Sequence, residues 1–166
     1  MKTKILSSKV EGKINQLIGE ELRAMYTYVS AANWCQANGY LQAYGYFIHE
    51  SSEEKGHSEV LQQYLLDMGC SPELYEIDEP SSDYKTLKDV LYDALEMETD
   101  LGKKYSKTAS DIQSEDFMTV TKLQEFIKIQ TKAIGFYGDM CSVADGVSDD
   151  KFQQLMLEDI LIKNAK

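Results

Sequence analysis

The chain is poor in proline, histidine and positive charge. Its two prolines, Pro72 and Pro80, lie in one polar segment between Asp67 and Lys85, so the long stretches on either side contain no obligatory helix breaker. Lysine and arginine total 17 against 28 acidic residues, a net charge of −11 over 166 residues. No Lys/Arg cluster is present to grip a phosphate backbone, which excludes nucleic acid as a partner. An acidic chain attracts cations instead. Cys35, Cys70 and Cys141 are odd in number and share no close spacing. That argues against a disulfide framework and for a reducing, cytoplasmic setting, with each thiol acting as a small core residue. No apolar run approaches the length of a membrane span. The start, MKTKILSSKVEGKI, pairs only Ile5 with Leu6 before polar residues resume, unlike a secretory signal. No membrane partner is expected. Repeats, low-complexity tracts and interdomain linkers are also missing, and 43% hydrophobic content suits one domain over 1–166.

What remains is helical periodicity. Apolar residues recur at helix spacing over about 9–37, 40–67, 84–112, 116–144 and 148–162, predicting five helices and an all-α fold. Asn38-Gly39, Ser114-Glu115-Asp116 and Asp145-Gly146 are short breaks, which favour antiparallel neighbours. The segment DMGCSPELYEIDEPSSDYKT is long enough to run the length of a bundle. The expectation is an antiparallel four-helix bundle with one long crossover between helices two and three. A short fifth helix follows, with Phe152, Leu155, Met156 and Ile160 on its apolar face.

Reading each helix at alternating steps of three and four separates buried from solvated positions. The first seam runs Ile14, Leu17, Ile18, Glu21, Met25, Tyr28, Ala32; the second Phe47, Glu50, Glu54, His57, Leu61, Tyr64. The third runs Leu87, Leu91, Ala94, Glu98, Leu101, Tyr105; the fourth Leu123, Phe126, Ile127, Gln130, then Ala133 or Ile134, and Tyr137. Glu21, Glu54 and Glu98 thus interrupt three apolar seams near mid-helix. Unpaired carboxylates in a core shift their pKa or find a cation. With His57 one turn from Glu54, they form an oxygen-rich set with one nitrogen, suited to iron or manganese. No cysteine joins them, which argues against structural zinc. A carboxylate such as Glu54 can bridge two metals, leaving positions open for dioxygen, and the implied chemistry is oxidation of ferrous iron. A lone Glu-x-x-His is common on solvated helices; the case rests on three seams interrupted together. Ser51, Glu53, Lys55 and Glu59 fall off the seam and are expected in solvent, as is His49. Tyr28 reads either as a core tyrosine with a bonded hydroxyl or as a redox partner behind the ligands. Trp34 reads as packing.

These segments resemble the non-haem bacterial ferritins: NQLIGEELRAMYTYVSAANWC, FIHESSEEKGH, LYDALEMETDL and KLQEFIKIQ, one from each of the four helices. The resemblance spans essentially the whole chain. It implies iron as the bound metal, with Glu21, Glu54 and His57 at the first position and Glu54 and Glu98 at the second. It also places Gln130 beside them, Glu53 at an outer position and Tyr28 behind the ligands. It implies further that ferrous iron is oxidised by dioxygen inside the subunit and stored as ferric mineral in a homo-oligomeric shell.

The fourth helix departs from that pattern. Ferritins of this type carry a glutamate three residues past the glutamine that ligates the second iron. Here that position is Ala133, its neighbour is Lys132, and Ile129 precedes Gln130. Removing a buried anionic ligand should weaken the second iron position. Glu50, one turn before Glu54, either compensates or faces a cavity at the end of the seam. With only His49 and His57, the chain lacks the second Glu-x-x-His of bacterioferritins and rubrerythrin-like proteins. Three readings follow: a ferroxidase with a weakened second position, a structural and nucleating subunit with little catalysis, and a metal-free interaction bundle.

Overall fold

The computed structural model describes residues 3–165, and among them forms five helices and no strand. They are α1 (Ser8–Ala37), α2 (Leu41–Asp67), α3 (Leu87–Ile112), α4 (Phe117–Ala144) and α5 (Lys151–Asn164). Local chemistry sets the ends. Ser7 caps α1 by accepting from the Val10 amide, and Thr86 with Asp89 forms a reciprocal capping box on α3. Asp116 caps α4 and Asp150 caps α5. The predicted starts at 84 and 148 are therefore three residues early, because the residues that satisfy the first amides are Thr86 and Asp150. Between α1 and α2, Gly39 takes a left-handed φ of 78°, which a side chain would oppose. Gly69, after α2, also has a left-handed φ, and a Cβ there would lie 2.4 Å from the Thr3 carbonyl oxygen.

Specific pairs fix the topology. Tyr28 bonds Glu98 and Tyr105 bonds Glu21, so α1 and α3 are antiparallel. Tyr46 meets Tyr137, the His57 ring packs edge-on to Phe126, and Tyr64 meets Thr119, so α2 and α4 are antiparallel in one continuous register. The crossover lies along α1: the Glu73 amide donates to Asn15 Oδ1 at 2.9 Å, and Ser30 Oγ donates to the Ser81 carbonyl at 2.6 Å. Residues 15 and 30 of a helix are about 22 Å apart at 1.5 Å per residue, so the crossover returns the chain to the end where α2 began. This is the expected four-helix bundle with one long crossover and a short C-terminal helix.

Three expectations about faces are corrected. On α5, Phe152, Leu155 and Met156 are exposed, and Gln154, Leu157, Glu158 and Leu161 are the buried stripe. The reason is that α2 and α3 start at the same end, under α5, and their first amides need acceptors. Glu158 accepts from the Ala43 amide at 2.8 Å, and Gln154 Oε1 from the Lys88 amide at 3.2 Å. Tyr40, the α2 cap residue, offers no side-chain bond of its own. On α2, Ser51 is buried rather than solvated, its hydroxyl satisfied by the Ile48 carbonyl at 2.7 Å. A hydroxyl that bonds its own helix can face a packed surface at little cost. Met25 is only half-buried, with Ala24, Thr27 and Tyr28 taking the inward positions around it. The three cysteines are free and buried, and burial lifts the Cys35 thiol to about 12. Trp34 stacks on Tyr40 at 5.6 Å and meets the edge of Tyr84.

Candidate metal centre

On one side of the middle the core is mostly leucine and isoleucine, among them Ile14, Leu17, Leu61 and Leu123; on the other it is mostly aromatic and small, among them Tyr28, Phe47, Tyr137 and Ala32. At the middle, Glu21, Glu54, Glu98 and Gln130 are buried, one from each helix, with His57 beside them. One ligand atom from each of Glu21, Glu54 and His57 lies within 4.8 Å of the others, the spacing of a set around a common cation. His57 Nδ1 is 3.0 Å from Glu54 Oε2 and 3.7 Å from Glu21 Oε2. The Tyr105 hydroxyl donates to Glu21 Oε1. The other oxygen, Glu21 Oε2, is fully buried and has no hydrogen-bond partner. A buried carboxylate oxygen with no partner, facing an imidazole and a second carboxylate, makes a donor set that fits a cation.

Glu98, on α3, has both carboxylate oxygens engaged. Its Oε1 accepts from the Tyr28 hydroxyl. Gln130, with its amide nitrogen turned toward Glu98, donates to Glu98 Oε2 at 2.6 Å and to the Glu98 carbonyl at 3.2 Å. Tyr28 is fully buried, and its ring stacks between Phe47 and Tyr137.

The electrostatics follow from crowding anions in a dry space. Burial raises Glu54 well above the carboxylate range, and Glu21 and Glu98 push it further against the opposing effect of His57. Burial likewise raises Glu98 to about 7, with the Tyr28 hydrogen bond working the other way. His57 reaches about 10: burial disfavours its charged form, but Glu21 and Glu54 together outweigh that. The centre holds protons at neutral pH that a divalent cation would displace.

A cavity of about 910 Å³ opens onto this centre. Glu50, Glu53, Glu54, His57 and Glu98 line one side, and Lys132, Ala133, Phe136 and Tyr137 the other. Glu50 is half-buried, whereas Glu53 and His49 are exposed at the mouth. Burial raises Glu50 above the ordinary carboxylate range; Glu53 adds to this, and His49 and His57 oppose it. The α4 stretch that lacks a carboxylate is thus the wall of an open space rather than a packed surface. Sequence reasoning left three side chains without a role. Tyr105 stood on the third seam one heptad past Glu98, a spacing that places it beside the first-helix carboxylate. Tyr46 and Tyr137 share a 3.1 Å hydroxyl contact at the far end of the cavity. Tyr137 was on the fourth seam; Tyr46 was one position off the second and carried no signal.

A bundle of this topology with inward carboxylates at mid-height defines the class of ferritin-like carboxylate proteins. The family model described as "Ferritin-like domain" matches residues 11–147, and the chain belongs to that family. It is similar to a bacterial non-heme ferritin of Staphylococcus aureus (strain USA300), with 22% identity over 147 residues, 88% of this chain and 89% of the relative. It is 28% identical to a bacterial non-heme ferritin of Campylobacter jejuni over 127 residues, 76% of each chain. Its fold matches an open pore ferritin from the hyperthermophilic archaeon Archaeoglobus fulgidus at a TM-score of 0.88, with 22% identity, over 95% of this chain and 98% of that one. Iron storage with ferroxidase activity is the function of the family. No helix among the described residues is long and apolar enough to cross a membrane.

Proposed function

We propose that this chain is an iron-storage subunit. It binds ferrous iron inside the bundle, oxidises it with dioxygen and keeps the ferric product as mineral within a homo-oligomeric cytoplasmic shell. The observation that carries this reading is the fully buried Glu21 Oε2, which has no partner and lies 3.7 Å from His57 Nδ1. Glu21, Glu54 and His57 hold the first iron, and Glu54 and Glu98 face the second. Gln130 and Tyr28 fix the Glu98 carboxylate, and Glu53 serves as an outer position at the cavity mouth. Iron is substrate and cargo here. Two ferrous ions each lose one electron, dioxygen takes both with two protons, and the products are two ferric ions and hydrogen peroxide. The centre's own proton load suits the exchange, since binding of iron drives off protons from His57 and the raised carboxylates.

Assembly is supported by the surface. Leu41 and Phe152, at the starts of α2 and α5, and Phe117, at the start of α4, are exposed apolar side chains that contacts between subunits would cover. The test is stopped-flow absorbance after mixing ferrous iron with the protein in oxygenated buffer. Oxidation faster than in protein-free buffer, and abolished by a combined Glu21→Ala and His57→Ala change, supports the reading; a rate equal to that of buffer alone refutes the enzymatic part. Ala133 favours a second reading, a structural and nucleating subunit with little catalysis, which the same trace distinguishes by iron uptake without accelerated oxidation.

A further inference from the structure

The α2–α4 register makes the missing α4 carboxylate a question of position. Tyr46 lies opposite Tyr137, His57 opposite Phe126 and Tyr64 opposite Thr119, so each step forward on α2 is one step back on α4. Four residues past Tyr46 on α2 is Glu50, and four residues before Tyr137 on α4 is Ala133. Glu50 therefore stands across the cavity from Ala133, at the level where α4 offers only a methyl group. Both line the same space as Glu54 and Glu98; among the described residues only Glu21, Glu54 and His57 form a set with ligand atoms within 4.8 Å of one another, so the Glu50 side chain must turn inward to join Glu54 and Glu98 on a shared ion. Among the described residues, the Glu50 carboxylate enters no hydrogen bond or ion pair that would hold it elsewhere. Its charge is felt by Glu98 on α3 and by Tyr137 on α4, so it acts on the interior of the bundle. At this level the wall facing it is Ile129, Ala133 and Phe136, which supply no ligand atom, and Lys132, which is exposed; Asp139, the α4 carboxylate that also lines the cavity, is exposed and stands six residues past Ala133.

We propose that Glu50 supplies from α2 the anionic ligand that α4 lacks at Ala133, so that a second divalent cation is held by Glu54, Glu98 and Glu50. This rests on the reading that the bundle binds iron at all. The set is three hard oxygen donors, which suits ferrous iron, manganese or cobalt over softer ions. Exchanging the helix that donates the carboxylate keeps the count of anions while leaving the α4 side of the cavity open.

The experiment is anaerobic equilibrium binding of cobalt(II) to the assembled protein, following visible absorbance and counting ions per subunit by elemental analysis after desalting. The intact protein binds two per subunit. Glu50→Gln, which preserves shape and removes the charge, binds one tightly and the second at least about tenfold more weakly, as expected for loss of a charged ligand. Adding Ala133→Glu to Glu50→Gln returns the second ion, because it restores a carboxylate at the same level from the opposite helix. Glu59→Gln, on the solvated face, leaves both ions in place. Helical circular dichroism and shell size are checked for every variant. Two ions bound by Glu50→Gln with unchanged affinity overturn the proposal, as does failure of Ala133→Glu to restore the second ion in a folded double variant. One ion in the unmodified protein overturns it too, while leaving the iron-binding reading intact. No ion in the unmodified protein removes both.

Discussion

A carboxylate shut away from water takes up a proton, finds a cation or weakens the fold. At the centre of this bundle, burial and mutual repulsion raise Glu54 and bring Glu98 to about 7. His57 at about 10 carries a proton at neutral pH when no metal competes. Metal binding at these residues therefore releases protons, and its apparent affinity rises with pH through neutrality. Titration calorimetry in two buffers of different ionisation enthalpy measures the release, and buffer-independent heats would contradict it. The same shifts set the stability of the metal-free protein. Glu98, whose pKa is raised from 4.5, contributes stability that is fully present below 4.5 and is lost as pH rises through about 7. The Tm advantage of the native chain over Glu98→Gln should shrink or reverse from pH 5 to pH 8, as measured by thermal denaturation at both pH values. At Glu21, replacement by glutamine should raise the metal-free Tm, because the orphaned Oε2 position becomes an amide that can donate to Glu54. The same change should reduce the Tm increase that cobalt gives the native protein, because it removes a ligand of the first position only.

At the scale of elements, α5 closes the end where α2 and α3 begin. Glu158 and Gln154 serve there as caps for helices distant in sequence. Glu158→Ala leaves the Ala43 amide without its acceptor and should cost about 1–3 kcal/mol in thermal or chemical denaturation, with no change in metal count. The helices themselves were legible because their seams repeat over many turns, and Glu21, Glu54, Glu98 and Gln130 stood out as polar breaks in apolar rows. What escaped the sequence was interaction between elements. Glu158 looks like any helix glutamate until α2 is seen to begin beneath it. Ser51 looks solvated until its hydroxyl is seen to bond its own backbone. The apolar stripe of α5 was misassigned because Phe152, Leu155 and Met156 are the more hydrophobic face, yet capping turns the opposite face inward. Glu50 could be read either way from the sequence, and only the α2–α4 register sets it across from Ala133.

Over the whole molecule, the crossover strapped along α1 makes α2 parallel to α3, and that arrangement brings one residue from each of four helices to a common level. A ligand that binds only the folded bundle stabilises it by mass action, about 2.7 kcal/mol at a hundred times its dissociation constant. Cobalt or anaerobic ferrous iron should accordingly raise the Tm of the native protein in a concentration-dependent way, and magnesium, which keeps its water and demands octahedral geometry, should do so far less. The central claim is that the buried acidic centre holds iron, and anomalous diffraction at the iron edge from crystals soaked anaerobically in ferrous iron tests it most directly. The account predicts one strong peak among Glu21, Glu54 and His57 and a second among Glu54, Glu98 and Glu50. Crystals that take up iron only at the protein surface, with no anomalous peak inside the bundle, would contradict it.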